Sequence, residues 1–286
     1  MTSVTGVIRL IRPINCAMMG FAVVVGEFIA LSGSLPTFRA LLGFPVAFLL
    51  TAATMILNDY YDRSIDQINN PERPIPSGAV SPRAALALVF LLSTLGILTS
   101  ALINSVAMII ALLSLVLMVF YNTVGKRTGF LGNIVVSVCV SLPFVFGGYA
   151  VQNVRLLLWI FAFVALFSNL GREVTKGIAD VAGDRAHGVR TVAVVFGSGI
   201  ASLAASSLFA VAILLSAFPH VLDLVSKFYL PAVVVSDLGF VTSAISLLRN
   251  HSVENAKAVK NRILIWMMIG LVAFLLGAYV PIESNI

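Results

Sequence analysis

The chain has 286 residues, of which 59% are hydrophobic and 10% charged, and carries a formal net charge of +6. A soluble fold could not hide that much apolar surface, so the composition excludes a water-soluble enzyme and describes an integral membrane protein. The surplus of cations does not indicate a nucleic-acid binder, because its distribution follows a membrane topology.

A membrane crossing needs about 20 apolar residues, and nine stretches qualify: 14–32, 41–58, 84–103, 105–122, 130–150, 154–170, 199–218, 229–248 and 263–281. The first reads as a span and not as a cleavable leader, since Glu27 interrupts it and no small-residue cleavage site precedes a soluble domain. With the N-terminus in the cytoplasm and sides alternating, only Arg39, Arg155 and Lys227 of the 18 lysines and arginines fall outside. That asymmetry is the positive-inside signature and places the C-terminus outside.

Ahead of the first span, Arg9 and Arg12 precede Pro13, and Asn15 enters the membrane. These arginines anchor the interface, or Arg12 and Asn15 reach into a cytoplasmic cavity toward an anionic substrate. Glu27 in the first span and Asp237 in the eighth sit toward the outer half, where pairing or hydrogen bonding between helices accounts for them.

The second span runs directly into Asn58-Asp59-Tyr60-Tyr61-Asp62-Arg63-Ser64-Ile65-Asp66. If the helix continues, Asn58, Asp62 and Asp66 lie at i, i+4 and i+8 on one face. Carboxylates so spaced repel, and a divalent cation turns the repulsion into attraction. The string Asn69-Asn70-Pro71-Glu72-Arg73-Pro74-Ile75-Pro76-Ser77-Gly78 follows; helix cannot continue through it, and it holds Arg73 in a stiff turn near the acidic helix end.

After the fourth span, Tyr121-Asn122-Thr123-Val124-Gly125-Lys126-Arg127 places two cations and a tyrosine at the cytoplasmic mouth. Gly132, Pro143, Gly147 and Gly148 in the fifth span suggest a bent, closely packed helix. The sixth span leads into a second acidic pair, Asp180 and Asp184, with Glu173 and Lys176 on the same helical stripe. Asn58 and Asp62 precede Asp180 and Asp184 by a common spacing, which implies a parallel repeat: spans 1–4 match spans 5–8, and span 9 is added. The last cytoplasmic stretch, Arg249 to Arg262, reads as a basic solvated or lipid-facing loop. Cys16 and Cys139 fall inside spans at no metal-binding spacing.

Mg2+ takes oxygen ligands and is commonly held by one or two carboxylates plus substrate phosphates. Two acid-bearing helix ends on one membrane face, with Arg and Lys nearby, suit a diphosphate bridged by metal. The position at the membrane surface adds an apolar tail, and an isoprenyl diphosphate has both parts. Its allylic carbocation could be faced by Tyr60, Tyr61 or Tyr121.

The joint set Asn58-Asp59-x-x-Asp62-x-x-x-Asp66, Arg73-Pro74-Ile75-Pro76-Ser77-Gly78 and Asp180-x-x-x-Asp184 resembles the UbiA superfamily of intramembrane prenyltransferases over nearly the whole chain. The resemblance implies an all-α, polytopic bundle of nine transmembrane helices around a central cavity with a cytoplasmic cap. It also implies Mg2+ bound through the prenyl diphosphate. By the same resemblance, Asn58, Asp62, Asp66, Asp180 and Asp184 are the metal ligands and Arg63, Arg73, Lys126 and Lys176 the diphosphate contacts. Arg12, Asn15, Tyr121 and Arg127 border the acceptor, and Asp59 or Asp66 takes the proton.

Within the family, the stretch from Asn58 to Ser81 reads most like the archaeal branch that attaches geranylgeranyl to the hydroxyl of geranylgeranylglyceryl phosphate. An aromatic acceptor of the quinone, haem or chlorophyll type is the alternative. A CDP-alcohol phosphotransferase would need an Asp-Gly-x-x-Ala-Arg run that is absent here. A cation-coupled transporter would place its acids near the bilayer midplane. The partners implied are an isoprenyl diphosphate, a lipid-like acceptor and membrane lipid, with no nucleic acid and no obligate protein partner.

Overall fold

The computed structural model describes residues 3–278, and all regular structure among them is helical. A short surface helix, α1 (Val4–Ile11), precedes the first crossing, α2 (Pro13–Ala30); the short α3 (Phe38–Leu41) and α4 (Gly43–Tyr61) form the second. After α5 (Arg63–Asn69), the crossings α6 (Pro82–Ile103), α7 (Ser105–Thr123), α8 (Phe130–Ala150) and α9 (Leu156–Ala179) follow. The short α10 (Val181–Ala186) and α11 (Val192–Phe196) lead to the last three crossings, α12 (Ser198–Val221), α13 (Tyr229–Arg249) and α14 (Val253–Ala278). Nine helices among the described residues are thus long and apolar enough to cross a membrane.

Helices suit this composition because a spanning segment must satisfy every backbone polar group internally. The starts are written locally. Thr37, Ser81, Asn104 and Thr191 each accept the N–H three residues on, from Ala40, Ala84, Ala107 and Val194. Proline opens α2 and α6, where its missing N–H has no helical partner to lose.

Two crossings differ from the hydropathy reading. The sixth continues to Ala179, because Arg172, Glu173 and Lys176 pair with one another and the helix carries its charges onward. The last begins at Val253, so most of the stretch expected as a basic loop is the opening of α14, and Lys260 points back to Asp180 at 4.0 Å. Residues 279–281 of the expected ninth span lie outside the described residues.

Consecutive crossings pack side by side through α9, and α14 returns to α9 and α2. The tightest seam joins α2 to α8. A Cβ on Gly147 would strike the Val23 carbonyl, and one on Gly26 the Phe144 carbonyl, so bare backbone meets bare backbone there. Beside it, Phe161 and Phe274 stack at 3.8 Å, edge-on to Phe144. Asp237 accepts a hydrogen bond from Ser216 of α12 at 2.8 Å, the interhelical partner expected of it. Glu27 differs: it is fully buried against Gly43, and neither carboxylate oxygen has a hydrogen-bond partner among the described residues.

A cavity of about 320 Å³ lies between α2, α4, α7, α8 and α9, walled by Met18, Leu50, Met118 and Phe146. A smaller one, about 100 Å³, adjoins it across Met18, Met19, Val140 and Met267. One end of the bundle is tied by Asn153 to Ala30 and by Arg39 to Leu102. The opposite end carries both acidic clusters.

Candidate active site

The first acidic motif straddles a joint. α4 stops at Tyr61 and α5 starts at Arg63, with Asp62 between them at φ −83° and ψ −1°. The hydrogen-bond ladder nevertheless survives: Asp62 N donates to Asn58 O at 2.9 Å and Asp66 N to Asp62 O at 2.8 Å. The helix thus continues past Asp62 with a joint at that residue. Asn58 Nδ2 donates to Asp62 Oδ2 at 3.2 Å, and Lys126 closes an ion pair on the same oxygen. Asp66 instead turns to Arg73, 2.6 Å away, and also accepts from Asn70.

Arg73 also lies 3.5 Å from Asp59, which Arg12 holds at 2.6 Å. Two arginines and two buried carboxylates thus bind the start of α2 and the turn after α5 to the end of α4. Ile75 and Val80 of that turn plug a small core with Leu10, Ile56 and Ala85. Ser3 N donates to the Ala79 carbonyl, and the turn is stiffened by Val80 N donating to Pro74 O at 2.8 Å. This is a cap, held by apolar plugs and ion pairs together.

The second motif has a similar joint one residue-pair earlier: α9 stops at Ala179, and Asp180 links it to α10. The joint falls on Asp180, the first residue of this pair, and on Asp62, the second residue of Asn58/Asp62; here too the ladder continues, with Asp184 N donating to Asp180 O at 3.0 Å. Buried Glu173 takes Arg172 at 3.0 Å on one oxygen and Lys176 at 3.4 Å on the other. The Asp184 carboxyl is pushed up to about 6, first by burial and then by Asp180; Lys176, Lys126 and His187 pull it the other way.

Lys126 links the two motifs: it pairs with Asp62, and its charge opposes the rise of the Asp184 carboxyl. The 3-10 turn Gly125–Thr128 carries Lys126, and the next residue locks it in place. Gly129 has φ +68°, and a Cβ there would collide with the Arg190 carbonyl, so only glycine lets this turn seat against the loop after α10.

The donor set suits a hard divalent cation. Asn58, Asp62, Asp180 and Asp184 offer oxygens alone, and burial has left Asp184 wanting positive charge. No three acids or other ligating side chains converge closely enough among the described residues to hold an ion alone.

Of the other expected contacts, Lys176 stays within the Glu173 pair and Asn15 lines the large cavity. Arg12 is committed to Asp59, and Arg127 is exposed at the surface. Arg63 donates to the Tyr60 carbonyl at 2.7 Å and lies 4.5 Å over the Tyr60 ring, exposed to water. Tyr60 packs into the cap core and Tyr61 is exposed, which leaves Tyr121 as the ring between the acid pairs. The sequence reading missed Glu173 as a shared carboxylate, and the Arg-Glu-x-x-Lys spacing was the available signal.

The family model for the UbiA prenyltransferase family matches residues 19–269. The digeranylgeranylglyceryl phosphate synthase of Methanopyrus kandleri is 36% identical over 269 residues, covering 94% of this chain and 97% of its own. A solved structure of digeranylgeranylglyceryl phosphate synthase in membranes superimposes with a TM-score of 0.81 at 31% identity, over 96% of this chain and 98% of that one. A UbiA homolog from Archaeoglobus fulgidus bound to GPP and Mg2+ shares the fold, with a TM-score of 0.65 at 17% identity, over 94% of this chain and 99% of that one.

Proposed function

Because this chain belongs to the UbiA prenyltransferase family, we propose that it moves a geranylgeranyl group from geranylgeranyl diphosphate to geranylgeranylglyceryl phosphate, releasing diphosphate. The relatives named digeranylgeranylglyceryl phosphate synthase support this acceptor. One observation carries the chemistry: Lys126 pairs with Asp62 of the first motif, and its charge also acts on Asp184 of the second.

Asn58, Asp62, Asp180 and Asp184 would hold Mg2+, which would supply charge neutralisation for a departing diphosphate. Lys126 and Lys176 add positive charge beside the same group, fixed before the substrate arrives. Arg73 reaches the diphosphate by releasing Asp66, and that one exchange makes Asp66 available as a further oxygen ligand. The face of Tyr121 stabilises the cationic allyl carbon. The acceptor hydroxyl forms the new C–O bond, and its proton passes to Asp66; Asp59, buried between two arginines, keeps the cap closed. The apolar cavity below receives a prenyl tail.

The positive-inside distribution supports a cytoplasmic N-terminus and an active site on the cytoplasmic face of the cell membrane. The test is transfer by the purified chain in lipid, with Mg2+ and labelled geranylgeranyl diphosphate, to geranylgeranylglyceryl phosphate and to hydroxybenzoate. Product from the ether phosphate alone is expected. Product from hydroxybenzoate alone overturns the acceptor, and product from neither overturns the enzyme.

A further inference from the structure

The larger cavity is lined by apolar side chains and a few neutral polar ones, with a single charged exception among the described residues, Arg172. Its Nη1 donates to Glu173, but its Nε is buried and has no hydrogen-bond partner among the described residues. Glu173 is simultaneously the partner of Lys176, so Arg172 shares its one carboxylate with a second cation. A buried unpaired donor at the rim of an apolar cavity is costly unless an acceptor completes it.

That partner is not the donor diphosphate. On α9, Arg172 lies about 6 Å, one helical turn, below Lys176 and about 12 Å below Asp180. It therefore sits on the membrane side of the metal-binding acids, nearer the carbon where the new bond forms. With Nη1 committed to Glu173, the guanidinium keeps further N–H donors, the kind of group that binds phosphate oxygens. Asn169 lines the same rim with Asn15, and its amide nitrogen, which donates one hydrogen to Ser137 at 3.1 Å, carries a second N–H.

We propose that Arg172, flanked by Asn169 and Asn15, is the subsite for the phosphate of the acceptor, and that it selects a phosphorylated glycerol ether over an uncharged one. The inference rests on the transfer reaction proposed above and names the group that recognises its second substrate. A phosphate seated there holds the glycerol backbone below the diphosphate, with the free hydroxyl turned up toward the allylic carbon.

The test compares the native chain with Arg172→Gln and Arg172→Lys in lipid, using geranylgeranylglyceryl phosphate and its dephosphorylated alcohol as acceptors. Arg172→Gln is expected to raise the KM for the phosphorylated acceptor by about tenfold to a hundredfold. Any change that reaches the donor site through Glu173 and Lys176 should be the same with both acceptors, so the readout is the ratio of kcat/KM for the phosphorylated acceptor to that for the alcohol, which should fall about tenfold or more. Arg172→Lys should recover part of that ratio. An equal loss on both acceptors overturns the subsite. A native chain that transfers to neither acceptor sinks the underlying reaction instead; an active one whose preference survives in Arg172→Gln sinks the subsite alone.

Discussion

Arg73→Ala removes the guanidinium that lies 2.6 Å from Asp66 and 3.5 Å from Asp59. The two carboxylates are 5% and 4% exposed, so each keeps the cost of its desolvation when the partner goes. Breaking a buried pair in this way costs about 3–5 kcal/mol. Two features lower that figure. The Arg73 side chain is 31% exposed, which screens its charge. Asp59 also retains Arg12 at 2.6 Å, and Asp66 retains Asn70 at 3.2 Å. A loss of about 2 kcal/mol remains, roughly thirtyfold in the folding equilibrium.

The assay is equilibrium unfolding in mixed micelles of Arg73→Ala, Asp66→Asn and the double variant. Asp66→Asn deletes the stranded charge, so the double variant should be no less stable than Arg73→Ala, with a coupling of about 1–2 kcal/mol. A coupling near zero, with both single variants as stable as the native chain, refutes the claim that this pair holds the cap.

Asp62→Asn and Asp184→Asn should each abolish Mg2+-dependent transfer while the purified protein elutes and melts like the native one; turnover in both would remove the metal assignment. Lys126→Met should raise the donor KM by at least about tenfold, the cost of one charge-assisted contact, and an unchanged donor KM counts against Lys126 as the link between the two motifs. Arg63→Ala should change the donor KM by less than about twofold, since its guanidinium stacks on Tyr60 and faces water; a tenfold rise would restore it to the site. Gly147→Ala should cost about 1–3 kcal/mol by prising α2 from α8, measurable by the same unfolding assay, and native stability there would mean that the seam yields.

Much of the architecture was legible without coordinates. The apolar runs count the crossings, and the isolation of Arg39, Arg155 and Lys227 follows the positive-inside pattern. The ends were harder. Hydropathy measures preference for lipid, so it stopped the sixth crossing short of Arg172, although that charged segment stays helical and largely buried. It likewise read the start of α14 as a loop. At the site, residue types were readable and partnerships were not. Arg63 and Arg73 look alike in sequence, yet one lies exposed over Tyr60 and the other reaches two acids.

Membrane residence, the number of crossings, the side bearing the charges and the two acid pairs follow from the chain alone, because each is a property of neighbouring residues. Folding alone brought Arg12 to Asp59 across 47 positions and Lys126 to Asp62 across 64. It also left Arg172 as the charged residue on an apolar wall. Pairings of that kind depend on how helices pack, and periodicity within one helix carries no record of them.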